Sequence, residues 1–129
     1  MKTQKKKISW DQVNGAIASI IEQMDIMNYK PSKVCGVTRG GLVAGVMLSH
    51  YFGASFEAIS PDTVVFGDQN TLIVDDIYDT GKTITQLRRL NPRAQFATLY
   101  FSDLHADDEI EYYGFSYNGN EWLVFPWEI

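Results

Sequence analysis

Apolar positions along the chain follow two periodicities, and their alternation predicts the elements. Val13, Ile17, Ile20, Ile21 and Met24 recur at helical spacing and form one apolar face. Ser9-Trp10-Asp11-Gln12 stands before them with the spacing of a capping box, and Pro31 ends the segment. Residues 33–37 form a short apolar run that predicts a buried strand. Thr38-Arg39-Gly40-Gly41 predicts a turn, and residues 42–51 a helix closed before Gly53. Residues 55–70 hold one or two short strands and a turn at Gly67-Asp68-Gln69-Asn70. A further buried strand is predicted over 71–75, a helix over 82–90 stopped by Asn91-Pro92, and a strand over 95–101. Residues 103–109 read as an acidic loop. Residues 110–117 and 121–125 flank Asn118-Gly119-Asn120, the pattern of a hairpin.

Strands that alternate with helices predict an α/β fold. Its central sheet is mostly parallel and covered by helices on both faces, with a small C-terminal β segment. Sites in such folds lie at the carboxyl ends of the strands. The two glycine-containing loops, after Val37 and after Asp76, both fall there.

The 129 residues fit one domain, 1–129, with residues 1–7 expected as a flexible tail. Hydrophobic residues make up 45% and charged residues 21%, an ordinary globular balance. No apolar run reaches the length of a membrane span. Ile8-Ser9-Trp10-Asp11 follows the basic start where a signal peptide needs its apolar core, so the chain reads as cytoplasmic. The net charge of −5 argues against a general nucleic-acid binder. Lys2, Lys5, Lys6 and Lys7 are the one basic cluster, expected to be solvated. Cys35 is the only cysteine and sits in an apolar run, where it reads as a small buried hydrophobe.

Candidate chemistry concentrates in residues 71–83, Thr-Leu-Ile-Val-Asp-Asp-Ile-Tyr-Asp-Thr-Gly-Lys-Thr. An apolar strand runs into the adjacent acids Asp75 and Asp76, and Asp79-Thr80-Gly81-Lys82-Thr83 then opens a helix. Carboxylates accept hydrogen bonds from sugar hydroxyls, while backbone N–H groups and hydroxyls at a helix start hold phosphate. The order therefore suits a phosphorylated sugar. A P-loop is the main competitor, because Gly81-Lys82-Thr83 looks like its ending. It needs a glycine five positions before the Gly-Lys pair, and position 76 is Asp. A plain turn with Asp79 as helix N-cap accounts for Asp79 alone. In the first loop, the two glycines let backbone approach a ligand closely, and Arg39 carries a planar fork suited to phosphate oxygens.

The 71–83 stretch resembles the phosphoribosyl pyrophosphate (PRPP) signature of the type I phosphoribosyltransferases: apolar strand, Asp-Asp, two variable residues, Asp-Thr-Gly-x-Thr. Glu121-Trp122-Leu123-Val124-Phe125-Pro126-Trp127-Glu128, Ile8-Ser9-Trp10-Asp11 and Val37-Thr38-Arg39-Gly40-Gly41-Leu42 are similar to the xanthine-guanine and related 6-oxopurine branch. The resemblance implies transfer of phosphoribosyl from PRPP to a nucleobase such as guanine, xanthine or hypoxanthine. The products are nucleoside 5′-monophosphate and pyrophosphate. By position it implies Asp75 and Asp76 as ribose ligands, Asp76 with Mg²⁺. Asp79, Thr80, Gly81, Lys82 and Thr83 become the 5′-phosphate loop, and Thr38, Arg39, Gly40 and Gly41 the pyrophosphate loop. Asp79 takes the catalytic role near the base nitrogen, and Trp122 stacks on the base. A homodimer is the implied assembly.

Two departures bear on these expectations. The 6-oxopurine branch has a lysine after the strand that follows the signature helix, where it reads the purine oxygen. Ser102 occupies that position here, as the aligned base contact, and no lysine follows Lys82. The family's long mobile loop has little room between Gly53 and Thr71. A non-catalytic PRPP or nucleotide-binding module is the alternative these departures raise.

Overall fold

The computed structural model describes residues 2–129. Its elements run β1 (Gln4–Lys7), α1 (Trp10–Ile26), β2 (Lys33–Val37), α2 (Leu42–Phe52), β3 (Ser55–Ile59), β4 (Thr71–Tyr78), α3 (Lys82–Leu90), β5 (Gln95–Ser102), β6 (Tyr112–Tyr117) and β7 (Glu121–Val124). A short 3₁₀ turn, Asp103–His105, follows β5. The five central strands lie in the order β3-β2-β4-β5-β6, every neighbouring pair parallel.

Burial explains why this sheet forms. Val34, Leu72, Val74, Ala97 and Leu99 pack on one face against Val13, Ile17, Ile20, Met24, Ala44 and Leu48 of α1 and α2. Cys35, Ile73 and Phe96 point the other way and meet Ile84 and Leu87 of α3. Strands buried on both faces read as continuous apolar runs, which is the pattern seen at 33–37 and 71–74. Helix α1 starts as its sequence predicts. Gln12 N donates to Ser9 Oγ at 3.1 Å, and Ser9 N donates to Gln12 Oε1 at 2.9 Å. It stops at Ile26, before Pro31 is reached, because Asn28 turns left-handed at φ 54°. Asn is among the few side chains that tolerate this conformation.

Strand β4 loses its alternation midway. Leu72 and Val74 face α1 and α2, yet Ile77 joins that same cluster while Tyr78 joins the α3 cluster. The phase slips across Asp75 and Asp76. Strand β5 slips with it, since Ala97, Leu99 and Tyr100 share one face while Phe96 and Phe101 share the other. The pairing itself holds, with Asp75 opposite Thr98 and Tyr78 opposite Phe101. The strand therefore continues to Tyr78 instead of ending at Asp75 as the sequence pattern predicts.

Two expectations are corrected. Residues 110–117 and 121–125 do not form a hairpin. Strand β6 pairs with β5, and β7 pairs with β1, both in parallel. The described part of the expected tail is no tail, since Gln4–Lys7 form β1 in register with Glu121–Val124. Met1 lies outside the described residues. Thr3 N donates to Asn120 O at 3.0 Å and Ile8 N to Val124 O at 2.8 Å, so the pairing is pinned at both ends. Beyond β7, Phe125 stacks on Trp127 at 5.0 Å between centroids, and Trp127 meets Trp10 at 5.8 Å. These rings fix the C-terminal segment over the start of α1.

The first expectation from this geometry concerns exchange. The Thr3 and Ile8 amides should exchange at least about 10-fold slower than in an open chain. Native-state hydrogen exchange read by NMR measures this. Exchange at the random-coil rate would contradict strand β1.

Candidate active site

The site lies where the carboxyl ends of β2 and β4 adjoin. Asp75 and Asp76 are half-buried there, and Asp76 N donates to Asp75 Oδ1 at 2.8 Å. Burial pushes the Asp75 carboxyl well above the ordinary range, and the neighbouring Asp76 charge adds to the effect. Burial also raises Asp76, against the bond it shares with Asp75 and with a further push from Glu128. Neither acid is paired with a basic side chain among the described residues. Two half-buried carboxylates without a counter-charge are unfavourable in isolation, which points to a ligand rather than to structure.

The first loop reaches these acids through Gly40. A Cβ on Gly40 would overlap the Asp76 carboxylate, and one on Gly41 would overlap the Val74 carbonyl. Only glycine lets the 38–41 turn rest directly on β4. Gly41 N already donates to Val37 O at 2.8 Å, and Thr38 N to Ile59 O at 2.7 Å. The groups left to a ligand are the Thr38 hydroxyl, the Arg39 and Gly40 N–H groups, and the Arg39 guanidinium. Arg39 is exposed and pairs with no carboxylate among the described residues. Together with Asp76, Trp127 and Glu128, Arg39 and Gly40 line a hollow of about 620 Å³.

The second loop, residues 79–83, leaves backbone donors free at the start of α3. Gly81 takes φ 83° and is the N-cap of α3, with no side-chain cap bond. Its open Cα also receives the Tyr78 hydroxyl, which a side chain would displace. The first bonded helical N–H is that of Thr85, to Gly81 O at 2.8 Å. The N–H groups of Lys82, Thr83 and Ile84 precede it, touched only by a long contact of 3.4 Å between Lys82 N and Thr80 Oγ1. Free N–H groups at a helix start attract phosphate. Asp75, Asp79 and residues 80–84 enclose a hollow of about 120 Å³ over them.

Asp79 does not cap α3, which removes the plain-turn reading. Its Oδ1 accepts from Lys2 Nζ and from the Tyr117 hydroxyl, both at 2.6 Å. Burial pushes this carboxyl up, but the bonds from Lys2 and Tyr117 and the charges of Lys2 and His105 outweigh it. The net value lies below the ordinary 3.8. Trp122 is 54% exposed, with Lys5 Nζ 4.6 Å above its ring. Asp76, Ile77, Asp79 and Trp122 line a third hollow of about 210 Å³ with Lys2, Leu123, Phe125 and Glu128. Neighbouring hollows share lining residues, Asp76 between the first and third and Asp79 between the second and third.

Ser102 lies behind the site, its hydroxyl beside Gly119 and the Tyr117 hydroxyl that bonds Asp79. It is fully buried, and its hydroxyl accepts from Leu104 N at 3.2 Å to cap the 3₁₀ turn. It lies opposite Tyr117 in the β5–β6 register. It also borders a separate hollow of about 730 Å³ with Arg88, Asp108 and Glu111, which none of the other predicted site residues lines. Lys2, Tyr117 and Glu128 are the site neighbours that sequence reasoning missed. Lys2 and Tyr117 reach Asp79, and Glu128 faces Asp76, each from a segment distant in sequence. Cys35 is buried as expected, and burial pushes its thiol up to about 11, away from nucleophilic use. Among the described residues no cluster of three or more His, Cys, Asp or Glu side chains could hold a metal alone. No helix of the described residues is long and apolar enough to cross a membrane.

Comparison with known proteins places this geometry. The chain is 30% identical over 144 aligned positions to a xanthine-guanine phosphoribosyltransferase of Cereibacter sphaeroides, covering 95% of this chain and 86% of that one. A purine phosphoribosyltransferase from Pyrococcus horikoshii superposes with a TM-score of 0.76 at 31% identity, over 98% of this chain and 96% of that one. A xanthine-guanine-hypoxanthine phosphoribosyltransferase of Helicobacter pylori shares the fold, with a TM-score of 0.78 at 19% identity, over 98% and 95% of the two chains. No family model matches the chain.

The lowered Asp79 value sets a pH test. A carboxyl whose native value lies below its unfolded value stabilises the fold fully above the unfolded value. That contribution disappears as pH falls through the native value. The thermal midpoints of wild type and Asp79→Asn should therefore differ at pH 6, and the gap should narrow as pH falls below the unfolded value of 3.8. Both partners are about one-third exposed, so the gap should be small. A gap that persists unchanged in acid would contradict the pairing.

Proposed function

The chain belongs to the type I phosphoribosyltransferases, a PRPP-dependent enzyme acting on purines, and on that footing we propose how its residues divide the reaction. Base and PRPP yield nucleoside 5′-monophosphate and pyrophosphate. The observation that carries the assignment is the meeting of two phosphate-type loops on one acid pair, with Gly40 pressed against Asp76 and Asp79-Thr80-Gly81-Lys82-Thr83 following in the same strand–loop unit.

The free N–H groups of Lys82, Thr83 and Ile84 and the hydroxyls of Thr80 and Thr83 receive the 5′-phosphate. Asp75 and Asp76 accept from the ribose hydroxyls. The Thr38 hydroxyl, the N–H groups of Arg39 and Gly40, and the Arg39 guanidinium receive the pyrophosphate. Gly41 contributes closeness rather than a donor, since its N–H is already bonded. Hard carboxylate oxygens without a protein counter-charge suit Mg²⁺ at Asp76. When bound, Mg²⁺ supplies positive charge that stabilises departing pyrophosphate oxygens. Arg39 adds to that stabilisation from the chain itself.

Ring carbon C1 of the ribose becomes cation-like as pyrophosphate leaves. Asp79, held ionised, faces that charge and lies where a base nitrogen would lose its proton. Trp122 offers its face to the base, a contact typically worth about 0.5–1.5 kcal/mol beyond area burial. Guanine, xanthine and hypoxanthine are the proposed bases. We place the whole reaction in one domain, working as a homodimer away from membranes and nucleic acid in the cytoplasm. The connection 60–70 is tied to α3 through Asn91. Asn91 Nδ2 donates to Thr63 O at 2.9 Å, and Asn91 Oδ1 accepts from Val65 N at 2.8 Å. Phe66 projects from it 95% exposed, a position suited to a subunit contact.

Pyrophosphate release from PRPP and Mg²⁺ across a panel of purine and pyrimidine bases tests the assignment. Release with a 6-oxopurine is expected, falling about 10²–10⁴-fold in kcat for Asp79→Asn. Near-wild-type turnover in that variant would remove its role. Silence with every base would favour a binding module.

Gly40→Ala gives an independent check. The added methyl displaces the 38–41 loop from Asp76, so KM for PRPP should rise at least about 10-fold while the fold is kept. An unchanged KM would contradict the loop contact.

A further inference from the structure

The hollow under Trp122 has an unbalanced lining. Asp76, Asp79 and Glu128 contribute carboxylates, and Lys2 is the one cation among its lining residues. Lys2 arrives there through an element that sequence reasoning set aside as a tail. Strand β1 pairs with β7, where Lys5 lies opposite Trp122, and the Thr3 N to Asn120 O bond anchors the chain beside residue 2. Lys2 Nζ then donates to Asp79 Oδ1 at 2.6 Å and to Gly119 O at 2.7 Å, 5.5 Å from the centre of the Tyr117 ring. An ammonium has three donors, so one remains for a ligand. Its side chain is about one-third exposed, which leaves it free to exchange a partner.

Without Lys2 every charged side chain in the lining would be a carboxylate, beside the apolar Ile77, Trp122, Leu123 and Phe125. A base that presents a carbonyl oxygen to three carboxylates is repelled, whereas a base that presents an amino group is favoured. The choice between the two base classes therefore rests on this one side chain. Ser102, the residue aligned with the lysine of the 6-oxopurine branch, is buried and outside the hollow.

We propose that Lys2, carried in by strand β1, is the specificity-determining cation of the base site and donates a hydrogen bond to the 6-oxo oxygen of the purine. The inference rests on the phosphoribosyltransferase reading of the same site and adds to it the residue that selects the base. Because Lys2 is shared with Asp79, base binding also redistributes the donors on that acid. A base oxygen that draws Lys2 away leaves Tyr117 as the remaining donor to Asp79 Oδ1. Recognition of the correct base and the basicity of Asp79 are thereby linked.

The test compares hypoxanthine with adenine, which differ in the group at position 6, using the full-length protein as wild type, Lys2→Met and Lys2→Arg. Pyrophosphate release gives kcat/KM. For Lys2→Met the hypoxanthine-to-adenine ratio of these values should fall about 10–100-fold, on top of any loss common to both bases from the missing Lys2–Asp79 bond, since a site built around a hydrogen bond discriminates strongly once the bond is lost. Lys2→Arg should recover much of the hypoxanthine activity. An unchanged ratio of the two bases in Lys2→Met would overturn the inference. An equal fall with both bases would also overturn it, since Lys2 would then only position Asp79. Binding of inosine and adenosine 5′-monophosphates, followed by tryptophan fluorescence, separates the two levels. If wild type releases no pyrophosphate, the transferase reading fails. The inference then stands if Lys2→Met lowers the preference for inosine monophosphate about 10-fold, and falls if the preference is unchanged or neither nucleotide binds.

Discussion

The contact between the Gly40 backbone and the Asp76 carboxylate is the constraint on which the site depends. Two loops from separate strand–helix units come together with no side chain between them. The arrangement needs β2 and β4 as parallel neighbours, so that their carboxyl ends face the same way. It needs α2 and α3 on opposite faces, so that their N-termini flank the acids. The phase slip in β4 falls on the same two acids. A regular strand would turn one toward each packed face, whereas the slip leaves both half-buried beside the hollows.

The electrostatics of the site are arranged in opposition. Asp75 and Asp76 are uncompensated, with burial holding their carboxyls high. Asp79, three positions on, is compensated twice, by Lys2 and Tyr117, and held low. Acids so close in sequence differ because their partners differ. The first two have no basic side chain beside them among the described residues, and the third has two donors. Divergent environments for neighbouring titratable groups mark division of labour in a site.

Much of this was legible in the sequence. The strand at Lys33–Val37 and the helix at Lys82–Leu90 match their predicted bounds, because continuous apolar runs and the stop at Asn91-Pro92 are local signals. The turn before α3 was readable because it carries Gly81, and the φ of 83° there is one that glycine adopts freely. What failed was pairing between distant segments. Gln4–Lys7 are polar and exposed throughout, so nothing in their composition marks a strand. Their partner lies more than a hundred residues away. Asn118-Gly119-Asn120 carries a hairpin signal, but β6 is already committed to the edge beside β5 and β7 takes β1. Lys2 and Tyr117 were hidden for the same reason, since their place in the site follows from topology and not from any motif.

The central claim is that the acid pair and the two loops form a PRPP site. Titration calorimetry of PRPP into the protein, with and without Mg²⁺, tests it most directly when wild type is compared with Asp76→Asn. The account predicts saturable 1:1 binding that Mg²⁺ strengthens, with the Mg²⁺ effect largely lost in the variant. Binding that is absent, or indifferent to both Mg²⁺ and the substitution, would contradict it.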